Sequence, residues 1–143
     1  MSKVLIYDCD GVLGDTEQYG HLAAFNQMWR EFAVPWQWSV EEYARKLKIG
    51  GGKERMASLF AEPAFLKVFT LPATEEKRKE MIAAWHKRKS AIYQEIVNSG
   101  RIPPRSGVKR LAEEALAAGW LLAVASTSAQ ESVEAMLRRA MGE

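Results

Sequence analysis

The sequence predicts an α/β fold: parallel strands interrupted by an all-helical insertion. Three observations predict it. Short apolar runs stand near each end of the chain, Val4–Tyr7 and Trp120–Ala125, and polar residues follow each at once. Continuous runs of that length suit strands buried on both faces of a parallel sheet. Every clear periodicity between them is helical, with apolar residues three and four apart. A helical pattern also feeds directly into the second run, which makes a right-handed crossover unit with a strand parallel to the first.

The chain has 143 residues, enough for one ordinary domain or a small core with a small insert. Apolar residues make up 48% and charged residues 27%, which is a globular rather than a disordered composition. The net charge of +2 is too small to argue for nucleic acid or an anionic membrane as partner. No apolar stretch approaches the ~20 residues of a membrane span. Cys9 is the only cysteine, so no intrachain disulfide forms and a reducing compartment is expected.

The first strand, Val4–Tyr7, stops abruptly at Asp8, and Asp10-Gly11 follows. A helix comes next, with Leu22, Phe25, Trp29 and Phe32 on one face and Val34-Pro35 as its stop. Ser39 with Glu42 forms a capping box that opens a second helix, whose apolar face is Val40, Tyr43, Ala44 and Leu47. Gly50-Gly51-Gly52 breaks the chain before a third helix over Lys53–Ala61, with Met56, Leu59 and Phe60 inward. Pro63 and Pro72 bracket a stretch with no clear pattern. Thr74 caps a long helix reaching about Asn98, with Glu75 and Glu76 in its first turn and Ile82, Trp85, Ile92 and Ile96 buried. His86, Lys87, Arg88 and Lys89 read as its solvated basic face. Pro103-Pro104 closes the block. Ser106 is placed to cap a helix with Val108, Leu111, Ala112 and Ala115 inward, which Gly119 ends. After the second strand, Ser128 with Glu131 reads as another capping box, and the last helix buries Val133, Met136, Leu137 and Ala140. The expected division is a core of residues 1–15 with 103–143, and a helical block of 16–102.

Asp8 and Asp10 are two apart on extended backbone, so both carboxylates leave the strand end on one side. Like charges that close need a cation or a shared proton. A hard divalent ion is the natural partner, and Mg²⁺ is usual beside phosphate. Gly11 lets the backbone turn sharply and approach a ligand. A lone Asp after a strand is more often a turn or cap residue; the whole run Asp8-Cys9-Asp10-Gly11-Val12-Leu13 is not. Ser126 ends the second strand just before a helix start, where a hydroxyl, backbone N–H groups and the helix dipole converge on an anion; Thr127 adjoins it. The Gly50–Gly52 turn carries Lys53 and Arg55 and lacks the ending of a nucleotide-binding P-loop. It serves either as a linker or as a clamp for a second anionic group.

The stretch DCDGVLGDTE resembles the first motif of the haloacid-dehalogenase-like (HAD) phosphohydrolases, in the form used by sugar-phosphate phosphatases and phosphomutases. The resemblance implies a Rossmann-like core with a helical cap inserted after that motif. It implies that Asp8 is a nucleophile that becomes phosphorylated, that Asp10 is a general acid and base, and that Ser126 belongs to the second motif. LKIGGGKERM, with His21 and Phe25-Asn26, is similar to the CbbY-type branch of bacteria, plants and algae, which dephosphorylates sugar bisphosphates such as xylulose-1,5-bisphosphate. In that pattern Lys53 holds the phosphate that is not transferred, and Glu17 and His21 meet sugar hydroxyls.

The resemblance implies a Mg²⁺-dependent sugar-phosphate phosphatase as the function. A β-phosphoglucomutase-like mutase and a non-catalytic fragment or interaction module are the alternatives. The expected partner is a small sugar phosphate. The expected location is soluble: the cytoplasm, or the plastid stroma where a transit peptide has been removed. The chain departs from the pattern after Ser128, where neither the family's later Lys nor its later acidic pair is found. The reading is therefore a truncated form, with self-association of its incomplete core expected.

Overall fold

The computed structural model of the protein describes residues 2–142. In chain order its elements are β1 (Val4–Tyr7), α1 (Ala23–Glu31), α2 (Val40–Lys46), α3 (Gly52–Ala57), α4 (Pro63–Leu66), α5 (Glu75–Asn98), α6 (Val108–Ala117), β2 (Leu121–Val124) and α7 (Gln130–Met141). A π-helical segment, Glu17–Leu22, runs into α1, and a 3-10 turn, Ser58–Ala61, follows α3. The residues gather into two compact units: those up to His21 with those from Gln94 onward, and Leu22–Tyr93.

In the first unit β1 and β2 pair in parallel, Val4 opposite Leu121 through Tyr7 opposite Val124. This is the α/β crossover that the sequence predicts. α6 between them buries Val108, Ala112 and Ala115, one stripe at spacings of four and three. It ends in a Schellman turn: Gly119 sits at φ +76°, its N–H donates to the Leu116 carbonyl, and Trp120 N–H donates to the Ala115 carbonyl. The expected Ser106 cap does not form. Gly107, at φ +85°, takes the cap position without any side-chain bond, and Leu111 is left exposed.

The strands are not buried on both faces as expected. Val4, Ile6 and Leu121 are 47%, 61% and 60% exposed, while Tyr7 is buried and Leu5, Leu122 and Val124 are half-buried. Side chains alternate across a strand, and among the described residues one face of this two-stranded sheet is covered and the other is not.

The second unit is helical and is built on aromatic rings. Phe25 and Trp29 of α1 meet Trp38 and Tyr43, with Trp29 edge-on to Trp38 at 4.6 Å between centroids. Asn26 pins that cluster: its amide donates to the Trp38 carbonyl and its Oδ1 accepts the Trp38 N–H, both at 2.9 Å. The Ser39–Glu42 capping box forms as read. α2 docks through Tyr43 alone, however, because Val40 and Leu47 lie at its two ends and are exposed. Phe32 is exposed too, since α1 stops at Glu31 and Ala33, at φ +52°, turns the chain out of register. The single helix expected over Lys53–Ala61 divides into α3 and the 3-10 turn, which bury Met56 and Leu59.

Thr74 caps α5 as expected, its Oγ1 accepting the Lys77 N–H, and Ile82, Trp85, Ile92 and Ile96 are buried. The basic run on α5 is only partly solvated. Lys89 is 7% exposed, with its ammonium 4.7 Å from the Phe25 ring centroid and 5.2 Å from that of Tyr93. Arg88 forks onto Glu31 of α1, Nε to Oε2 at 2.5 Å and Nη2 to Oε1 at 2.9 Å. Among the described residues no helix is long and apolar enough to cross a membrane.

Candidate active site

The loop after β1 is tied from inside. Cys9 points inward and is buried, and its carbonyl accepts the N–H groups of Val12 and Leu13 at 3.2 and 2.9 Å. Gly11 sits at φ +75°, where a side chain would be strained. Leu13 is fully buried and anchors the far side. The segment Pro103–Arg105 straps the loop: Asp15 N–H donates to the Pro103 carbonyl, Arg105 N–H to the Leu13 carbonyl, and Arg105 Nε to the Gly11 carbonyl at 3.1 Å.

The two aspartates therefore flank a buried residue and have different surroundings. Asp8 is exposed, and Cys9 N–H donates to its Oδ1 at 2.6 Å. Asp10 is enclosed by donors. Thr16, fully buried, donates to Oδ1 at 2.7 Å and accepts the Gly11 N–H at 3.2 Å. Ser128 donates to Oδ2 at 2.5 Å, and His21 Nε2 lies 3.6 Å from Oδ1. Burial alone would push the Asp10 carboxyl up. The bonds from His21, Ser128 and Thr16, with the histidine charge, outweigh it and hold the group well below the usual carboxylate range. The Cys9 thiol moves the other way, to about 11, through burial and then the charges of Asp10 and Asp8.

Thr16 lies just before the π-helical segment and His21 within it, and both meet Asp10 at Oδ1. Glu17 opens the same segment and is half-buried.

Ser126 and Thr127 are exposed beyond β2, and Ser126 Oγ accepts the Ser128 N–H at 3.1 Å. The expected Ser128–Glu131 capping box is absent. α7 begins at Gln130 with no side-chain cap, because the Ser128 hydroxyl goes to the Asp10 carboxylate instead. A charged acceptor binds a hydroxyl more strongly than a neutral group does.

In the helical unit Gly51 takes φ +89° and α3 starts at Gly52. Lys53 is exposed and lines a cavity of about 420 Å³ with Phe60, Arg78 and Ile82. Arg55 closes the glycine turn: its Nε donates to the Ile49 carbonyl at 2.9 Å and its Nη1 to the Tyr43 hydroxyl at 3.3 Å.

The structure thus brings Asp8, Asp10, Gly11 and His21 together in the first unit and adds Thr16, Ser128 and Arg105, which the sequence did not place in the site. Thr16 carried one signal, a small hydroxyl residue in the same short run as the aspartates. Mg²⁺ commonly takes one or two carboxylates and keeps water and substrate phosphate in its other positions. Exposed Asp8 and the neighbouring Asp10 suit that pattern. Among the described residues no group of three or more His, Cys, Asp or Glu stands ready to enclose a metal by itself.

A parallel crossover carrying this aspartate loop defines a class. The haloacid dehalogenase-like hydrolase family matches residues 2–143, and the chain belongs to it. Within that family it is 39% identical over 142 residues to a "CBBY-like protein" of Arabidopsis thaliana, covering 99% of this chain and 44% of the relative. It is similar to the crystal structure of CbbY from Rhodobacter sphaeroides in complex with phosphate, at 34% identity and a TM-score of 0.72, covering 97% of this chain and 57% of that one. It is similar also to a mutant of that protein in complex with xylulose-(1,5)bisphosphate, at a TM-score of 0.69, 34% identity and the same coverage. The chain spans about half the length of the curated relatives it matches.

Proposed function

We propose that this chain carries the nucleophile and acid–base half of a Mg²⁺-dependent phosphatase acting on a sugar bisphosphate. The observation that carries the reading is the unequal pair at the end of β1: Asp8 open to solvent, Asp10 ringed by Thr16, Ser128 and His21. The bisphosphate bound to the similar CbbY structure suggests the substrate class.

In this reading Asp8 attacks phosphorus and forms an aspartyl-phosphate while the P–O bond to the sugar breaks. Asp10 takes up a proton from solvent as substrate binds, gives it to the leaving sugar oxygen, and then takes a proton from the water that hydrolyses the aspartyl-phosphate. Its resting state is the carboxylate. A bound phosphoryl group would bring like charge beside it and raise its affinity for the first proton. Ser126 and Thr127 donate to phosphoryl oxygens, and Glu17 and His21 face sugar hydroxyls. Lys53, on the helical unit, holds the phosphate that is not transferred. The Asp8 carboxylate and the Asp10 backbone carbonyl would hold Mg²⁺, which when bound neutralises phosphoryl charge. Residues 16–102 act as the cap and the remainder as the core.

The test is phosphate release from xylulose-1,5-bisphosphate with and without Mg²⁺. Among the described residues, Asp8 has no cationic side chain bonded to it. Losing one electrostatic stabiliser commonly costs ~10²–10³ in rate, so turnover by this chain is expected to be slow. It should require Mg²⁺ and vanish in Asp8→Asn. Release that persists in Asp8→Asn would remove the nucleophile from the reading. A second reading, a phosphate-binding module without turnover, is favoured by the lack of a third acidic ligand among the described residues. It predicts Mg²⁺-dependent binding and no release at all.

A further inference from the structure

The glycine turn before α3 is backed by a residue that the proposed chemistry leaves unused. His86, on α5, lays its imidazole against Gly52. A Cβ built on Gly52 would stand 3.1 Å from His86 Cδ2, 3.2 Å from Nε2 and 3.7 Å from Phe25 Cζ. Both ring contacts are tighter than nine in ten real Cβ contacts. Gly52 is the first residue of α3 and Lys53 the second. The direction in which Lys53 leaves the turn is therefore set by how closely Gly52 seats on that ring.

We infer that His86 is a positioning residue for the glycine turn: its ring is the wall on which Gly52 rests, and that seat fixes Lys53 for binding the second phosphate of a bisphosphate. The inference rests on the clamp role proposed for Lys53.

Three observations bear on it. His86 is half-buried, so its ring is held rather than free to swing. Arg55 closes the other side of the turn through the Ile49 carbonyl and the Tyr43 hydroxyl, so the glycines are gripped from two directions. The charges facing His86 are Lys53 and Glu54 from α3 and Lys89 from its own helix, and α1 presents Phe25. Burial, then Lys89 and Lys53, push the imidazole below its ordinary value against the pull of Glu54. A neutral ring packs on a glycine Cα without a charge to solvate.

The wall predicts an exchange of volume. Gly52→Ala puts a methyl where the ring stands. His86→Ala removes the ring and leaves the turn unsupported. In the double variant the methyl occupies part of the space the ring vacated, so its effect should be smaller than the sum of the two. Contacting residues typically couple by 0.5–3 kcal/mol, which is roughly two- to 150-fold in a binding constant. His86→Phe keeps a flat ring and should behave as the parent.

The experiment uses the full 143-residue chain with two readouts. The first is the ratio of affinities for xylulose-1,5-bisphosphate and the corresponding monophosphate, by titration calorimetry. A general loss of stability weakens both ligands and leaves the ratio alone. We expect the ratio to fall about threefold or more in Gly52→Ala and in His86→Ala, to recover partly in the double variant, and to hold in His86→Phe. The second is the NMR amide shifts of Gly51, Gly52 and Lys53 without ligand. They should move in His86→Ala and not in His86→Phe. Unmoved amides in His86→Ala, or additive effects in the double variant, would overturn the inference. A ratio that Lys53→Ala leaves unchanged while His86→Ala moves the turn amides would remove the clamp reading and keep His86 as the wall.

Discussion

Replacing Thr16 by Val is the sharpest test of how this site is built. The two side chains have nearly the same shape, so the change removes a hydroxyl and little else. That hydroxyl is fully buried, donates to Asp10 Oδ1 at 2.7 Å and accepts the Gly11 N–H at 3.2 Å. A hydrogen bond to a charged group contributes about 1.5–3 kcal/mol, and a buried N–H left without an acceptor costs about 1–3 kcal/mol. Gly11 is half-buried, so water recovers part of the second term. The sum is about 2–4 kcal/mol, or roughly 10 °C in Tm for a chain of this size. The pH dependence carries the distinctive part. The Asp10 carboxyl is lowered in the folded protein. Its stabilisation is therefore present above the unfolded value near 3.9 and is lost as pH falls through the folded value. Thr16→Val gives up part of it. The unfolded state is the same in both proteins, so the gap should be constant from pH 7 down through the usual carboxylate range. It should narrow only at lower pH, where the folded carboxyl of the variant begins to take up its proton. Urea melts across that range measure it, with hydrogen exchange at the Gly11 amide as the local readout. Thr16→Ser keeps the hydroxyl and loses one buried methyl, about 1 kcal/mol, with no pH term. A Thr16→Val protein within 0.5 kcal/mol of the parent, or a gap that already closes between pH 7 and pH 5, would refute the argument.

Three other outcomes follow from the same contacts. Ser128→Ala should raise the Asp10 value and weaken acid resistance, yet leave α7 intact by circular dichroism, because the hydroxyl bonds the carboxylate and not the helix end. Cys9, buried and raised to about 11, should resist thiol reagents at pH 8 until the protein unfolds. Its folded value lies above the unfolded one near 8.5, so its share of stability holds below that pH and is lost as pH rises toward about 11. The open sheet face bearing Val4, Ile6 and Leu121 should drive self-association, as exposed apolar patches do. Ile6→Lys should shift the chain toward monomer in light scattering, and an unchanged mass distribution would clear that face.

What the sequence revealed and what it hid divide by distance along the chain. The Ser39–Glu42 capping box is readable because both partners lie within one turn and have no competitor. The same pattern at Ser128 and Glu131 misleads, since a carboxylate 118 residues away takes the hydroxyl. The basic run on α5 looks solvated by composition. α1 packs against it in the fold and draws Lys89 onto the Phe25 ring and Arg88 onto Glu31. A π-helical turn leaves no mark in an apolar pattern read at three and four, so the segment that carries His21 to Asp10 could not be foreseen. The aspartates were legible because spacing of two on extended backbone fixes their side locally. That asymmetry has a consequence for the chemistry. The residues that react are named by a short motif, but the state in which Asp10 waits is set by His21 and two hydroxyls brought to it by folding. Substitutions at Thr16 and Ser128 should therefore alter the proton affinity of Asp10 while leaving both aspartates in place.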